Sequence, residues 1–268
     1  MPAPQNAFKA ALRNGRSQIG LWLALASPYV AEVCAGAGYD WLLVDAEHGP
    51  NDIPLLAAQL QAIAGSASHP VVRVPIGETW IIKQVLDIGA QTLLVPMVES
   101  AEQARALVRA TRYPPDGVRG VGAALARASN YNRISDYLQT ANEQICLLVQ
   151  VESRAGLAAI EEIASVDGVD GIFIGPADLA ADMGHLGVPG VADVQSAVRD
   201  GLSRILASGK AAGILTADVD LAQSYVELGA SFVAIGSDVG VLAGGATRLL
   251  SQFAAKPAAF PTSSGAVY

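Results

Sequence analysis

Cysteine is nearly absent: Cys34 and Cys146 are two residues among 268, both in apolar surroundings and neither in a CxxC or other metal-type spacing. That scarcity excludes a disulfide framework and a cysteine-based zinc site, leaves buried core thiols as the reading, and makes a reducing, cytoplasmic setting the expectation. Charge is also scarce, at 16% of residues, and the formal net charge of -8 comes without a basic cluster. A phosphate backbone needs such a cluster, so nucleic acid is not an expected partner. No stretch approaches the ~20 uninterrupted apolar residues of a membrane span. One segment imitates a secretory leader, because Lys9, Arg13 and Arg16 precede the apolar run Ile19 to Ala26 and then small residues. Pro28 and Glu32 interrupt that run early, and cleavage would delete a strand the repeat below requires.

What is abundant is apolar surface, at 51% of residues, punctuated by 27 glycines and 14 prolines. Short β-branched runs recur at Ile19 to Leu25, Trp41 to Ala46, Val71 to Val74, Thr92 to Met97, Ile145 to Val151, Gly171 to Gly175, Ala212 to Thr216 and Phe232 to Gly236. Longer segments of helical period separate them, among them Asp52 to Ala64, Ala101 to Thr111, Val194 to Ser208 and Leu221 to Leu228. Runs such as Thr92 to Pro96 and Cys146 to Val149 are apolar on both faces, as strands packed inside and covered outside must be. Alternation of this kind implies right-handed βαβ crossovers and a parallel sheet. Eight units in a chain close to the roughly 250 residues of a closed α/β barrel predict one (β/α)8 barrel over 1–255, followed by a tail at 256–268. The Gly38, Gly89 and Gly229 positions, each just before a strand, predict helix C-caps. The connection from Val98 to Ile145 is too long to be idle.

In such a barrel chemistry belongs at the carboxyl ends of strands. The polar residues there are few: Asp45, Glu47 and His48 after the second run, Arg73 in the third, Gln150 and Glu152 in the fifth, and Gly175-Pro176-Ala177-Asp178 after the sixth. Side chains alternate along a strand, so Gln150 and Glu152 share the inward face and Arg73 points inward between Val72 and Val74. Glu152 and Asp178 come from neighbouring strands at one height, where two hard oxygen ligands suit Mg2+ or Mn2+ with waters and substrate oxygens. The competing reading pairs Glu152 with Arg73 as a buried ion pair. Gly175 to Ala177 offers main-chain N–H groups to an anion, or is an ordinary turn. His48 sits where a group of near-neutral proton affinity serves acid–base work, whereas His69 lies at the opposite end and reads as structural.

Taken together, Trp41-Leu-Leu-Val-Asp-Ala-Glu-His48, Leu93-Leu-Val-Pro-Met97, Arg112-Tyr-Pro-Pro115, Arg119-Gly-Val-Gly122, Leu148-Val-Gln-Val-Glu152 and Gly168 to Leu179 resemble the HpcH/HpaI family of class II, metal-dependent aldolases. The resemblance runs from about Phe8 to the end of the chain. It implies that Glu152 and Asp178 hold a divalent metal (Mg2+, Mn2+ or Co2+), with no organic cofactor, and that a 2-oxo acid chelates the ion. It implies further that Gln150 and the main chain of Gly175, Pro176 and Ala177 seat the pyruvate moiety, and that Arg73 steadies the enolate oxygen. His48, oriented by Asp87 across the barrel mouth, would handle the proton on the aldol hydroxyl, with Asp45 near the second substrate, an aldehyde. The same resemblance implies a homo-hexamer, a trimer of dimers that exchange the last helix, for which the apolar segment Val239 to Phe253 is suited. A Schiff-base route is not expected, because Lys83 and Lys210 fall in helical or pre-strand segments. Two other readings stay open: a lyase of the same fold acting on a CoA thioester or a sugar-derived 2-oxo-3-deoxy acid, and a barrel that binds 2-oxo acids without turnover.

Overall fold

The computed structural model describes residues 1–253. Its strands are β1 (Gln18–Leu23), β2 (Trp41–Asp45), β3 (His69–Arg73), β4 (Thr92–Val95), β5 (Cys146–Val151), β6 (Gly171–Ile174), β7 (Ala211–Leu215) and β8 (Phe232–Ser237). They are parallel and ordered β1 to β8 around a closed barrel, with β8 pairing back onto β1. The expected (β/α)8 architecture is therefore present. The proposed tail at 256–268 lies outside the described residues. Among the described residues no helix is long and apolar enough to cross a membrane.

Two apolar layers hold the barrel. Between strands and helices, Leu42, Val44, Val72, Leu93, Val149, Ile172 and Val233 pack with the inner faces of helices such as Ile53–Ile63 and Ala192–Ala207. Inside, Trp22, Trp41, Leu43, Leu94, Leu148, Phe173 and Phe232 fill the lumen. Two of the large rings fit because glycines on neighbouring strands leave room for them. A Cβ at Gly20 would lie 2.2 Å from Trp41 Cε2, and one at Gly213 would lie 2.1 Å from Phe232 Cε2. Any other residue at either place would displace a ring from a close-packed interior.

The helix Ala7–Arg13 closes the base. Phe8 stacks on His69 with ring centroids 5.6 Å apart and meets Phe232 edge-on at 6.0 Å. Asn6 caps this helix by accepting from Lys9 N–H and donates from Nδ2 to Thr92 Oγ1 at 3.0 Å, while His69 Nε2 lies 2.8 Å from the same hydroxyl. His69 is thus a structural residue at the end remote from the strand tips, as expected.

Three details depart from the sequence reading. β1 stops at Leu23 rather than Leu25, because the N–H groups of Ala24 and Leu25 donate to the Asp238 carboxylate instead of a neighbouring strand. β4 stops at Val95 rather than Met97, since Pro96 has no N–H and Met97 turns the chain with φ 57. The long connection carries two short 3-10 turns, Ala123–Leu125 and Arg127–Ser129, and the helix Tyr137–Gln144. The cap at Gly229 is as expected, left-handed with φ 112 and donating its N–H back into the last turn.

Candidate active site

Asp45 and Arg73 are register partners at the ends of β2 and β3, and both point inward by strand parity. Arg73 Nε donates to Asp45 Oδ1 at 2.8 Å and Nη2 to Oδ2 at 2.6 Å, a two-pronged pair that fixes the guanidinium plane. Nη1 lies 2.8 Å from Glu47 Oε2, and the guanidinium carbon sits 5.1 Å from the Trp22 ring. Arg73 is therefore held by Asp45 and Glu47, and the alternative in which it pairs with Glu152 is not what the chain forms. Burial disfavours ionised Asp45, but Arg73's hydrogen bonds and charge outweigh that and hold the carboxyl below its ordinary range.

Asp45 also accepts from Trp22 Nε1 at 3.2 Å and from the backbone N–H groups of Glu47 and His48 at 3.0 and 3.4 Å. With every direction engaged and 2% of its surface exposed, it braces the loop that carries His48 rather than opening toward a second substrate. Asn51 Nδ2 adds a 2.6 Å bond to the Asp45 carbonyl, and Gln59 Nε2 holds Asn51 Oδ1 at 2.6 Å. The His48 side chain is exposed at the mouth.

Glu152 follows β5 directly and is 3% exposed. Its Oε1 accepts from Met97 N–H at 2.8 Å, a donor delivered by the left-handed turn at Met97, and its Oε2 accepts from Gln150 Nε2. Burial pushes its carboxyl up to about 7; these two hydrogen bonds oppose the shift, and the charges of Glu47 and Asp178 add to it. Glu47 is likewise raised by burial, partly offset by Arg73, with Asp45 and Asp178 pushing further upward. Four carboxylates, Asp45, Glu47, Glu152 and Asp178, thus share one end of the barrel with a single guanidinium among them, an excess of negative charge that a cation would relieve.

The local shape suits such a cation. The β5–β6 register that pairs Val151 with Ile174 brings Gly175 beside Glu152. A Cβ at Gly175 would lie 2.6 Å from Glu152 Oε2 and 3.2 Å from Gln150 Nε2, so the backbone there leaves space that any side chain would fill. Gln150 Oε1 is buried without a hydrogen-bond partner. Asp178 stands in the first turn of the helix Pro176–Asp182, exposed to the mouth. Among the described residues no group of three or more His, Cys, Asp or Glu is placed to hold a metal ion. Two carboxylates with open positions for water and substrate oxygens are what magnesium-like ions accept, and the residues present fit the implied metal.

Two expectations are corrected. Gly175 to Ala177 does not offer three main-chain donors: Gly175 N–H is taken by the Val151 carbonyl at 3.0 Å and Pro176 has none. Ala177 N–H, in a first helical turn, remains. Asp87 does not reach His48 within the chain. It ends the helix Thr79–Asp87, which returns the polypeptide to the base of the barrel before β4, and it pairs there with Arg119 Nη2 at 2.7 Å. Glu47, Trp22 and Met97 are the site residues given no role in the sequence reading. The inward parity of Trp22 in β1, and of Glu47 two residues beyond Asp45, was a usable signal for the first two; nothing in the sequence announced the positive φ of Met97.

The family described as HpcH/HpaI aldolase/citrate lyase matches residues 18–244. A hydroxypyruvate/pyruvate aldolase of Deinococcus radiodurans is 61% identical over 259 residues, 94% of this chain and 94% of its own. A 4-hydroxy-2-oxo-heptane-1,7-dioate aldolase of Klebsiella pneumoniae subsp. pneumoniae is 59% identical over 248 residues, 92% of this chain and 94% of its own. The crystal structure of a family member from Burkholderia cenocepacia superposes with a TM-score of 0.90 at 44% identity, covering 93% of this chain and 99% of that one. With the family match spanning nearly the whole barrel, and with relatives this similar over nearly their full lengths, the chain belongs to the HpcH/HpaI aldolase/citrate lyase family.

Proposed function

We propose that this chain is a divalent-metal-dependent class II aldolase that reversibly cleaves 4-hydroxy-2-oxo acids to an aldehyde and pyruvate or a related 2-oxo acid such as hydroxypyruvate. The observation that carries the reading is the electrostatic coupling of Glu152, Asp178 and Glu47 at the carboxyl end of the barrel, with Gly175 leaving room beside Glu152. The names of the Deinococcus radiodurans and Klebsiella pneumoniae relatives point to the same chemistry.

Glu152 and Asp178 would hold the ion, Mg2+, Mn2+ or Co2+, which when bound supplies positive charge to the keto oxygen and lowers the energy of the enolate left by bond cleavage. Gln150 and the Ala177 N–H seat the carboxylate end of the substrate. Arg73, fixed by Asp45 and Glu47, keeps N–H groups on Nη1 and Nη2 for the same developing oxyanion, and its pre-set plane means no reorganisation is needed as charge appears. His48, exposed beside this group, takes the proton from the 4-hydroxyl as the carbon–carbon bond breaks and returns it in the addition direction.

The assembly reading is a homo-hexamer in which the last helix is exchanged. In support, the helix Asp238–Ser251 exposes Val241, Leu242, Leu249 and Leu250 at 60% or more each, an apolar face that a single chain leaves in water. Asp87, beside the exposed Val121 and Leu125 of the long connection, could meet a His48 only on another subunit.

The test compares two reactions in one metal-saturated preparation of His48→Ala. Oxaloacetate decarboxylation produces the same pyruvate enolate as retro-aldol cleavage but takes no proton from a hydroxyl. Retro-aldol activity should fall on the order of 10²-fold or more, with decarboxylation falling far less. Equal losses would make His48 a binding or structural residue.

A further inference from the structure

We propose that Asp238, the first residue of the C-terminal helix, is a positioning residue for His48 that acts through the loop after β1. The inference rests on His48 being the base of the proposed aldolase reaction. Asp238 is 4% exposed, and its carboxylate is spent on backbone amides. Oδ1 accepts from Val239 N–H at 2.7 Å and from Ala24 N–H at 2.9 Å, and Oδ2 accepts from Leu25 N–H at 3.1 Å. The two loop contacts join residues more than two hundred positions apart, and they fall where β1 has just ended. A buried carboxylate placed on two consecutive amides of a distant loop fixes that loop's height and direction.

The loop needs fixing. Ala26, one residue further on, has φ 51, a left-handed conformation that a non-glycine residue keeps only where its surroundings over-determine it. Ser27 then caps the helix Pro28–Ala35. The Ala24 carbonyl oxygen of this loop lies close to the β2 loop: a Cβ at Gly49 would be 3.3 Å from it, and 2.5 Å from the Asp45 carbonyl oxygen, so only glycine leaves the two loops room to run side by side. Gly49 is the residue after His48. The hydrogen bond that His48 makes is from its backbone N–H, so the backbone on either side, with the nearby Glu47 charge, governs where the exposed imidazole stands. On one side that backbone is held by the Asp45 carboxylate through His48 N–H, and on the other Gly49 runs close to the Ala24 carbonyl.

Asp238 therefore holds Ala24, whose carbonyl lies beside Gly49, the residue next to His48. Glu152 and Asp178 follow β5 and β6, and the side-chain hydrogen bonds of Glu152 go to Met97 and Gln150 rather than to Ala24, Gly49 or Asp238. Loss of the Asp238 clamp should displace the base relative to the bound substrate while leaving the cation and Arg73 in place. Proton transfer is steeply sensitive to such displacement. Because Asp238 also begins the helix whose apolar face is uncovered in one chain, the seating of that helix reaches His48 by the same route.

The experiment uses the full chain, saturated with metal, in four forms beside the parent: Asp238→Ala, Asp238→Asn, His48→Ala and the double variant His48→Ala/Asp238→Ala. Retro-aldol cleavage and oxaloacetate decarboxylation are measured on each, with melting temperature and mass by light scattering as controls. Asp238→Ala should lower retro-aldol kcat about tenfold or more beyond any loss of decarboxylation. Asp238→Asn should fall between, since its carboxamide oxygen accepts one amide while its NH2 opposes the other; if the alanine form does not fold, this variant carries the comparison. The double variant should be no more selective than His48→Ala alone, because both changes act on one group. If His48→Ala is selective but the Asp238 variants lower both reactions equally, or neither, the proposal falls and the base assignment stands. If selectivity in the double variant multiplies, Asp238 acts elsewhere and the proposal falls. If His48→Ala itself lowers both reactions equally, the base assignment falls and takes the proposal with it.

Discussion

Asp45 and Arg73 face each other across the β2–β3 register and are joined by two hydrogen bonds, 2.8 Å from Nε and 2.6 Å from Nη2, so the guanidinium plane is set before any substrate arrives. A lysine at this place keeps the charge but offers one flexible point of contact instead of a planar fork. Arg73→Lys should therefore lower kcat for both retro-aldol cleavage and decarboxylation on the order of 10²-fold, as loss of a pre-set oxyanion donor does. Steady-state kinetics on both reactions, beside a urea titration showing a folded protein, makes the check. Turnover near the parent value would remove Arg73 from the mechanism.

The barrel interior is built from Trp22, Trp41, Phe173, Phe232 and their neighbours and makes no use of a metal, whereas the crowded carboxylates do. Treatment with a chelator should abolish both reactions and leave the circular dichroism spectrum and cooperative unfolding intact. The pH dependence of binding follows from Glu152. Its carboxyl, pushed up to about 7 by burial in the metal-free protein, is protonated below that pH, and the proton must leave before the oxygen can serve as a ligand. Apparent metal affinity should thus fall by up to about tenfold per pH unit below 7 and level off above it, with proton release on binding in the acidic range. Calorimetry in two buffers of different ionisation enthalpy measures that release. Affinity flat from pH 6 to 8 would contradict it, as would unchanged affinity in both Glu152→Ala and Asp178→Ala.

At the base, burial lowers the His69 imidazole from 6.5 to about 4, packed between Phe8 and the Thr92 hydroxyl. The folded pKa lies below the unfolded one, so between these two values the unfolded chain takes up the proton first. Stability from this group is complete above about 6.5 and is lost progressively as pH falls toward 4, by at most on the order of 3 kcal/mol. His69→Gln cannot titrate. The urea midpoint of the parent should drop more between pH 7.5 and pH 5 than that of the variant, and equal drops would show that His69 does not contribute.

How much of this was legible follows from which rule each residue obeys. Gln150, Glu152 and Arg73 were readable because strand parity is strict, and a polar side chain on the inward face at a strand's end has nowhere to be but the mouth. Asp87 was not, because it sits in the last turn of a helix, and helices in this fold carry the chain back to the base; the direction of travel excludes it from its own chain's mouth. The partner of Arg73 was not readable either, since Asp45, Glu47 and Glu152 all carry the right charge and only the β2–β3 register chooses among them. The clamp on Ala24 and Leu25 depends on contacts between the two ends of the chain, which no local pattern encodes.

Gly175 gives the most direct test of whether shape, and not only charge, makes the cation site. Its N–H is held by the Val151 carbonyl at 3.0 Å, and its φ of -93 is open to any residue, so backbone conformation alone would tolerate alanine. The added methyl group has no room: it would stand 2.6 Å from Glu152 Oε2 and 2.9 Å from Glu152 Cβ. With strand β6 fixed in the barrel, the backbone at Glu152 must shift to move its Cβ and the side chain must rotate away, giving up its bond from Gln150 and the position from which it would ligate. Gly175→Ala should therefore weaken metal affinity by about tenfold or more while lowering global stability by only about 1–3 kcal/mol, the usual cost of overpacking. Equilibrium dialysis with Mn2+ beside a urea titration separates the two effects. Parent-like affinity in a folded Gly175→Ala protein would mean that the cation does not lie where Glu152 and Gly175 meet.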